Sequence, residues 1–373
     1  MIRSAAPPRF AALAIAACAV LLPAGGALFR STTPDLAYEN RHATRWPTGM
    51  TLSSDLLRDY QDFFVDRLGW RSDFIALRNR IYDRLGLSPN PLARSGNEGW
   101  LLTTANSALL DRAGLVRFDD ETIRRFKSQM TARVDFWRRR NIQYYLLLGP
   151  DKSSVYPERL GGLFPVGETA FEHTYRVRGR NVFGPRFIDP RDALQTDKSA
   201  VTYYETDSHW NVFGARLAYR RLIDAISKDF PSVTAISDAA YSVRLQPHKG
   251  DLVPHGLEAT YAELGPTIEP AAEGCGVRQQ LDAMSWPGFR LHVESSVAAC
   301  PTGKLTALVV HDSFGKAIQP LLARTFARTV FAANPVAGDI PGELVDDAAK
   351  IVGPIDVIVQ IRVERAFTKG RME

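Results

Sequence analysis

Residues 304–333, KLTALVVHDSFGKAIQPLLARTFARTVFAA, carry the pattern that decides the fold. Leu305–Val310 is apolar apart from Thr306, the signature of a buried strand. A polar turn around Ser313 ends it, KAIQPLLARTFA has the apolar spacing of a helix, and TVFAA returns as a strand. The same alternation holds elsewhere. DDETIRRFKSQMTARVDFWRRRN (119–141) places Ile123, Phe126, Met130, Val134 and Trp137 on one helical stripe with Asp119 or Asp120 as cap. It leads directly into IQYYLLLGP (142–150), a second buried strand. PGELVDDAAKIVG predicts a helix, and IDVIVQIRVE (355–364) a last strand. Strand–helix–strand repetition implies an α/β domain with a mostly parallel sheet covered by helices on both faces. Upstream, residues 53–87 predict two helices broken near Gly69, and GNEGWLL predicts a turn followed by a short strand. Residues 232–303 are loop-rich and show no clear period.

The 373-residue chain has a formal net charge of +5. Residues 1–30 hold Arg3, Arg9 and Arg30 with no acid, so the remainder is only mildly positive. With no Lys/Arg run or aromatic ladder, nucleic acid is not an expected partner. The uncharged run Phe10–Phe29, flanked by these arginines, has the length of about 20 residues that spans a bilayer. It also fits a secretory leader, but PAGGALF is a poor cleavage site, which favours an uncleaved anchor. With Arg3 and Arg9 retained inside, residues 31–50 form a connector and residues 51–373 an exported domain. Cys18 lies in the leader; Cys275 and Cys300 either close a loop of about 26 residues, worth roughly 3 kcal/mol, or remain two buried thiols.

Chemistry in an open parallel sheet gathers at the C-terminal ends of the strands. Three such ends carry polar residues: GPDKSSVYP, HDSFG and RVERAF. The strand–turn–helix around Ser313 has the mechanics of a nucleophile elbow, although the chain has no GxSxG. Ser313 is alternatively a helix N-cap. YYETDSHWNVFGA (203–215) sets Asp207 and His209 one residue apart, and side chains two positions apart share a side of an extended segment. Asp207 then fixes the tautomer of His209, whose other nitrogen serves a serine. This requires the helix to begin after Trp210. The alternatives are an N-cap by Asp207 or a metal corner, and no HExxH or second His/Asp cluster supplies further metal ligands.

In sequence order, ENR, FFVDRLGWRSDFI, GNEGWLL, GPDKSSVYPERL, TDSHWNVFGA, GDL, VVHDSFG and VIVQIRVER resemble the alginate O-acetyltransferase AlgJ/AlgX-like family over roughly residues 38–365. TDSHW together with HDSF is the specific part. The resemblance implies an SGNH-hydrolase-like, flavodoxin-like fold and a triad of Asp207, His209 and Ser313, in an order permuted relative to ordinary SGNH esterases. Pro150 and Lys152 keep the family's Pro-x-Lys core. No carbohydrate-binding β-sandwich follows Arg365, as in the shorter, membrane-anchored branch.

The implied chemistry is acetyl transfer through an acetyl-serine to a hydroxyl of an exported, alginate-like polysaccharide, without cofactor or metal. It takes place in the periplasm, with an inner-membrane anchor and a membrane-bound O-acyltransferase as acetyl supplier. Backbone N–H groups around Ser313–Gly315 are the expected oxyanion donors. Lys152, Tyr156 and Arg365, at neighbouring strand ends, are expected to contact an anionic polysaccharide. An acetyl-esterase with the same triad and a non-catalytic polysaccharide-binding scaffold are the alternative readings, since the triad does not select the acceptor.

Overall fold

The structure is a computed structural model of the chain, and it describes residues 43–47, 54–67, 69–162, 164–269, 275, 277–280, 295–333 and 338–368. The leader Phe10–Phe29 lies outside these residues. Among them, no helix is long and apolar enough to cross a membrane. Two compact units are distinguished, Met1–Asn90 with Val253–Thr260, and Pro91–Leu252 with Tyr261–Glu373.

The first unit contains the helices Ser54–Asp66 and Arg71–Arg84, broken as expected near Gly69. Trp70, the residue before the second helix, is left-handed with φ 57°. The segment around His255 joins this helix through Ser72 (2.8 Å to His255 Nε2) and Asn79 (2.9 Å to the His255 carbonyl).

Among the described residues, the second unit is built on eleven strands. They are β1 (Ala93–Ser95), β2 (Leu101–Thr103), β3 (Gln143–Gly149), β4 (Phe187–Ile188), β5 (Val243–His248), β6 (Glu263–Ile268), β7 (Val277–Gln280), β8 (Ser296–Ala299), β9 (Thr306–His311), β10 (Arg328–Ala333) and β11 (Val357–Val363). Seven of them form the main sheet in the order β4-β3-β11-β9-β10-β8-β7. The β4-to-β10 part is parallel, and β8 and β7 add an antiparallel edge. The sheet is therefore mixed, and its parallel part is the one the apolar runs announced. Strand alternation divides the core into two faces. Tyr145, Leu147, Val309, Val359 and Ile361 pack with the helices Val212–Asp229 and Gly315–Thr325. Tyr144, Leu146, Leu308, Val310 and Ile358 pack with the helices Asp120–Arg138 and Gly342–Val352.

Local signals set the helix boundaries. Asp119 caps its helix by accepting from the Thr122 N–H at 2.7 Å. Asn211 caps the next long helix through Phe213 and Gly214, so that helix starts at Val212, after Trp210. In the region without a clear period, the chain forms the β5–β6 hairpin and the antiparallel edge β7–β8. A Cys275–Cys300 disulfide closes the segment that contains both β7 and β8, which settles the two sequence alternatives for those thiols.

The register fixes where chemistry can collect. Val363 of β11 lies opposite Gly149 of β3, and Ile361 lies opposite His311 of β9. The turns that follow β3, β9 and β11 therefore emerge side by side.

Candidate active site

Ser313 stands two residues beyond β9 and is exposed. Its turn is built by Asp312, whose carboxylate accepts from the N–H of Phe314 at 3.0 Å and of Val363 at 2.7 Å. Asp312 thus ties the serine turn to the end of β11. The alternative that Ser313 caps the helix does not hold. The capping position belongs to Phe314, with no side-chain cap bond. Ser313 is also not among the residues with positive φ, so this elbow is reached without left-handed backbone.

Asp207 and His209 lie on a tight loop closed by the Tyr203–Trp210 bridge and by the Asn211 N–H on the Thr202 carbonyl at 2.9 Å. The backbone bends through Glu205–His209 instead of running extended, which corrects the local conformation inferred from the one-residue spacing. The pair meets through a turn. Asp207 Oδ1 accepts from the His209 backbone N–H at 2.9 Å and lies 2.5 Å from His209 Nδ1. His209 Nε2 is 2.7 Å from Ser313 Oγ. Trp210 docks this loop on the serine turn, its indole N–H donating to the Phe314 carbonyl at 2.9 Å. A hydroxyl, an imidazole and a carboxylate in this sequence of contacts can move a proton off the serine and stabilise the imidazolium that results.

Two residues missed in the sequence complete the network. His248 Nε2 lies 3.1 Å from Asp207 Oδ2, and the Asp251 N–H donates to the same oxygen at 3.2 Å. The Asp251 carboxylate accepts from the Ser208 N–H at 2.6 Å and Oγ at 2.7 Å. Burial pushes the Asp207 carboxyl up, but bonds from His209 and His248 outweigh it and hold the group far below the usual carboxylate range. Asp251 is raised by burial and by the Asp207 charge. His248 is raised too, because Asp207, Glu263 and Asp251 together override the opposite effect of its burial. Only the GDL segment hinted at Asp251, and no spacing connects His248 with a site 41 residues earlier.

Asp207, His209 and Asp251 bring one potential ligand atom each within 4.8 Å of one another. His209 already uses both ring nitrogens, on Asp207 and Ser313. A cation would have to displace one of those bonds.

The other expected residues have different roles. Lys152 is 1% exposed, and its ammonium donates to the carbonyls of Tyr204 (3.1 Å), Glu205 (2.9 Å) and Asp207 (2.7 Å). Burial lowers its pKa to about 8 against the pull of Asp207 and Asp251. Tyr156 is buried, with its hydroxyl 2.9 Å from Thr202 Oγ and accepting from the Thr202 N–H at 2.9 Å. Arg365 is buried in an ion pair with Asp151. All three face inward and brace the histidine loop or the strand ends, so the expectation that they contact a polymer is corrected. Gly315 is also corrected as an oxyanion donor, because its N–H is held by the Asp312 carbonyl at 3.0 Å. A glycine is needed there for another reason: a Cβ would come 2.3 Å from the His311 ring. Among the described residues, the Ser313 N–H is the nearby donor with no hydrogen-bond partner.

A mostly parallel, helix-covered sheet with these contacts at its strand ends defines an SGNH-hydrolase-like domain. The family described as the SGNH hydrolase-like domain of acetyltransferase AlgX matches residues 93–284, and the chain belongs to it. The matched span contains Asp207 and His209 and ends before Ser313. A probable alginate O-acetylase AlgJ of Pseudomonas aeruginosa is 23% identical over 298 residues, 74% of this chain and 66% of that protein. The corresponding protein of Pseudomonas fluorescens is 28% identical over 139 residues, 35% of this chain and 34% of that one. The chain thus spans less than two thirds of these relatives. The solved structure of Bacillus cereus PatB1 shares the fold, with TM-score 0.50 and 16% identity over 75% of this chain and 98% of that one.

Proposed function

We propose that the protein is an O-acetyltransferase that moves acetyl groups onto hydroxyls of an exported, alginate-like polysaccharide through an acetyl-serine at Ser313. The observation that carries this reading is the unbroken contact chain Asp207–His209–Ser313, at 2.5 and 2.7 Å, ending on an exposed hydroxyl. Membership of the AlgX-type acetyltransferase family and the likeness to proteins named alginate O-acetylases support the choice of acetyl group and polymer.

In the first half-reaction Ser313 Oγ attacks the acetyl carbonyl of the donor while His209 Nε2 takes the hydroxyl proton. The new oxyanion lies towards the Ser313 N–H. Collapse breaks the bond to the leaving group, which receives the proton from His209. In the second half-reaction a sugar hydroxyl gives its proton to His209 and attacks the acetyl-serine. Collapse yields the sugar ester and returns the proton to Ser313. Asp207 holds Nδ1 throughout and balances the imidazolium charge.

The place of action we propose is the periplasm, with residues 10–29 as inner-membrane anchor and a membrane-bound O-acyltransferase as acetyl supplier. The Cys275–Cys300 disulfide supports an oxidising compartment. The test is to incubate the protein with an activated acetyl ester, with and without oligosaccharides, beside Ser313→Ala. Acetylated sugar that is lost in the variant is the expected result. Free acetate formed equally with and without sugar would make the protein an esterase. Tight glycan binding without turnover in both forms would make it a scaffold.

A further inference from the structure

We infer that His248 is a positioning residue of this site: by holding the second oxygen of Asp207 it keeps the first oxygen aimed at His209, an inference that rests on Ser313 being the nucleophile. A carboxylate offers about four acceptor positions. Those of Asp207 take the His209 N–H, His209 Nδ1, the Asp251 N–H and His248 Nε2. The terminal torsion of an aspartate is broad, so a carboxylate tethered from one side swings. Without His248, Oδ2 keeps only the 3.2 Å backbone bond, the longest of the set. The swing would be transmitted to the His209 ring through the 2.5 Å contact.

His248 is itself fixed. It ends β5, paired with Glu263 of β6, and its ring stacks on Tyr204 with centroids 3.9 Å apart and planes 11° apart. Gly265 makes room for the stack. A Cβ there would come 2.6 Å from the Tyr204 ring and 2.8 Å from the His248 Cβ. The same hairpin grips the loop a second time, because the Glu263 carboxylate accepts from the Glu205 N–H (2.7 Å), the Thr206 N–H (3.0 Å) and the Thr206 hydroxyl (2.6 Å). The β5–β6 hairpin is therefore a brace for the loop that carries the base. Glu263 sets the backbone and His248 sets the carboxylate.

The experiment uses the full chain and phenylmethylsulfonyl fluoride, which sulfonylates an activated serine whatever the natural substrate. The labelling rate of Ser313 is read by mass spectrometry in the wild type, His248→Phe, His248→Gln and Ser313→Ala. Phenylalanine keeps the stack on Tyr204 and removes the donor; glutamine restores an N–H near the Nε2 position. The expected rate in His248→Phe is about 10- to 100-fold below wild type, the scale of a misaimed catalytic group, and in His248→Gln it returns to within about 3-fold. Equal rates in wild type and His248→Phe, or an equal loss in His248→Phe and His248→Gln, would overturn the inference. If His248→Phe does not fold, His248→Asn takes its place, since its shorter amide does not reach Oδ2, and rates equal to those of His248→Gln overturn the inference in the same way. Wild-type protein left unlabelled at Ser313 would instead defeat the nucleophile reading itself, and this inference with it.

Discussion

The turns after β3 and β9 look alike in sequence and are used in opposite ways. Each follows a strand with an apolar run, Tyr144–Leu148 or Ala307–Val310, each has an acid just before its serine or lysine, and each opens a helix. The β9 turn sends Asp312 inward, onto the N–H groups of Phe314 and Val363, and leaves Ser313 exposed to meet His209. The β3 turn buries its entire stretch from Asp151 to Tyr156. Lys152 there gathers three carbonyls of the histidine loop, and Asp151 pairs with Arg365. One strand end presents an exposed serine, and the other, on the far side of β11, holds the histidine loop in place.

Substitutions in the two turns should therefore separate activity from stability. Ser313→Ala should lower acetyl transfer by at least about 10³-fold while leaving the urea midpoint within error, because the side chain is exposed. Arg365→Ala should do the converse. It strands Asp151 in the interior, and equilibrium unfolding should show a loss of about 3–5 kcal/mol. Any loss of transfer in the fraction that stays folded would be secondary. Tyr156→Phe should cost about 1–2 kcal/mol, since the buried Thr202 N–H loses its acceptor. A large activity loss in Tyr156→Phe at unchanged stability would break the contrast and return that residue to substrate binding.

The smallest effect is in the pH dependence, where Asp207 of the histidine loop and Asp151 of the β3 turn differ in sign. Asp207 is held below its ordinary value, so its contribution to stability is complete above pH 3.8 and is lost only as pH falls through its lower folded value. Asp151, raised mainly by burial to about 6, binds more proton in the folded than in the unfolded chain between 3.8 and 6. Stability from this group therefore falls as pH rises through that window. Unfolding of Asp151→Asn against wild type should show a flatter pH dependence there, and unchanged slopes would remove Asp151 as the cause.

The parallel core was legible because strands buried on both faces are written as apolar runs: β3 and β9 carry Tyr144–Leu148 and Ala307–Val310, and β11 is apolar apart from Gln360 and Arg362. Asp207, His209 and Ser313 were legible through motif and strand-end position. The β5–β6 hairpin was not, because the alternation Val243–Arg244–Leu245–Gln246 is short, runs into Pro247, and belongs to a strand exposed up to His248. His248 was hidden with it. Lys152, Tyr156 and Arg365 were placed at the right strand ends, but sequence carries no sign of which way a polar head turns. Here backbone carbonyls hold Lys152 inward, Thr202 holds Tyr156, and Asp151 holds Arg365.

In the proposed reaction Ser313, activated by His209 and Asp207, carries the acetyl group. The direct measurement is peptide mass spectrometry after brief exposure to an activated acetyl ester in the absence of an acceptor sugar. One added acetyl is expected on the peptide containing Ser313, released when an acceptor oligosaccharide is added and not formed in His209→Ala. Acetyl found on another residue, or on Ser313 at the same rate without His209, would contradict it.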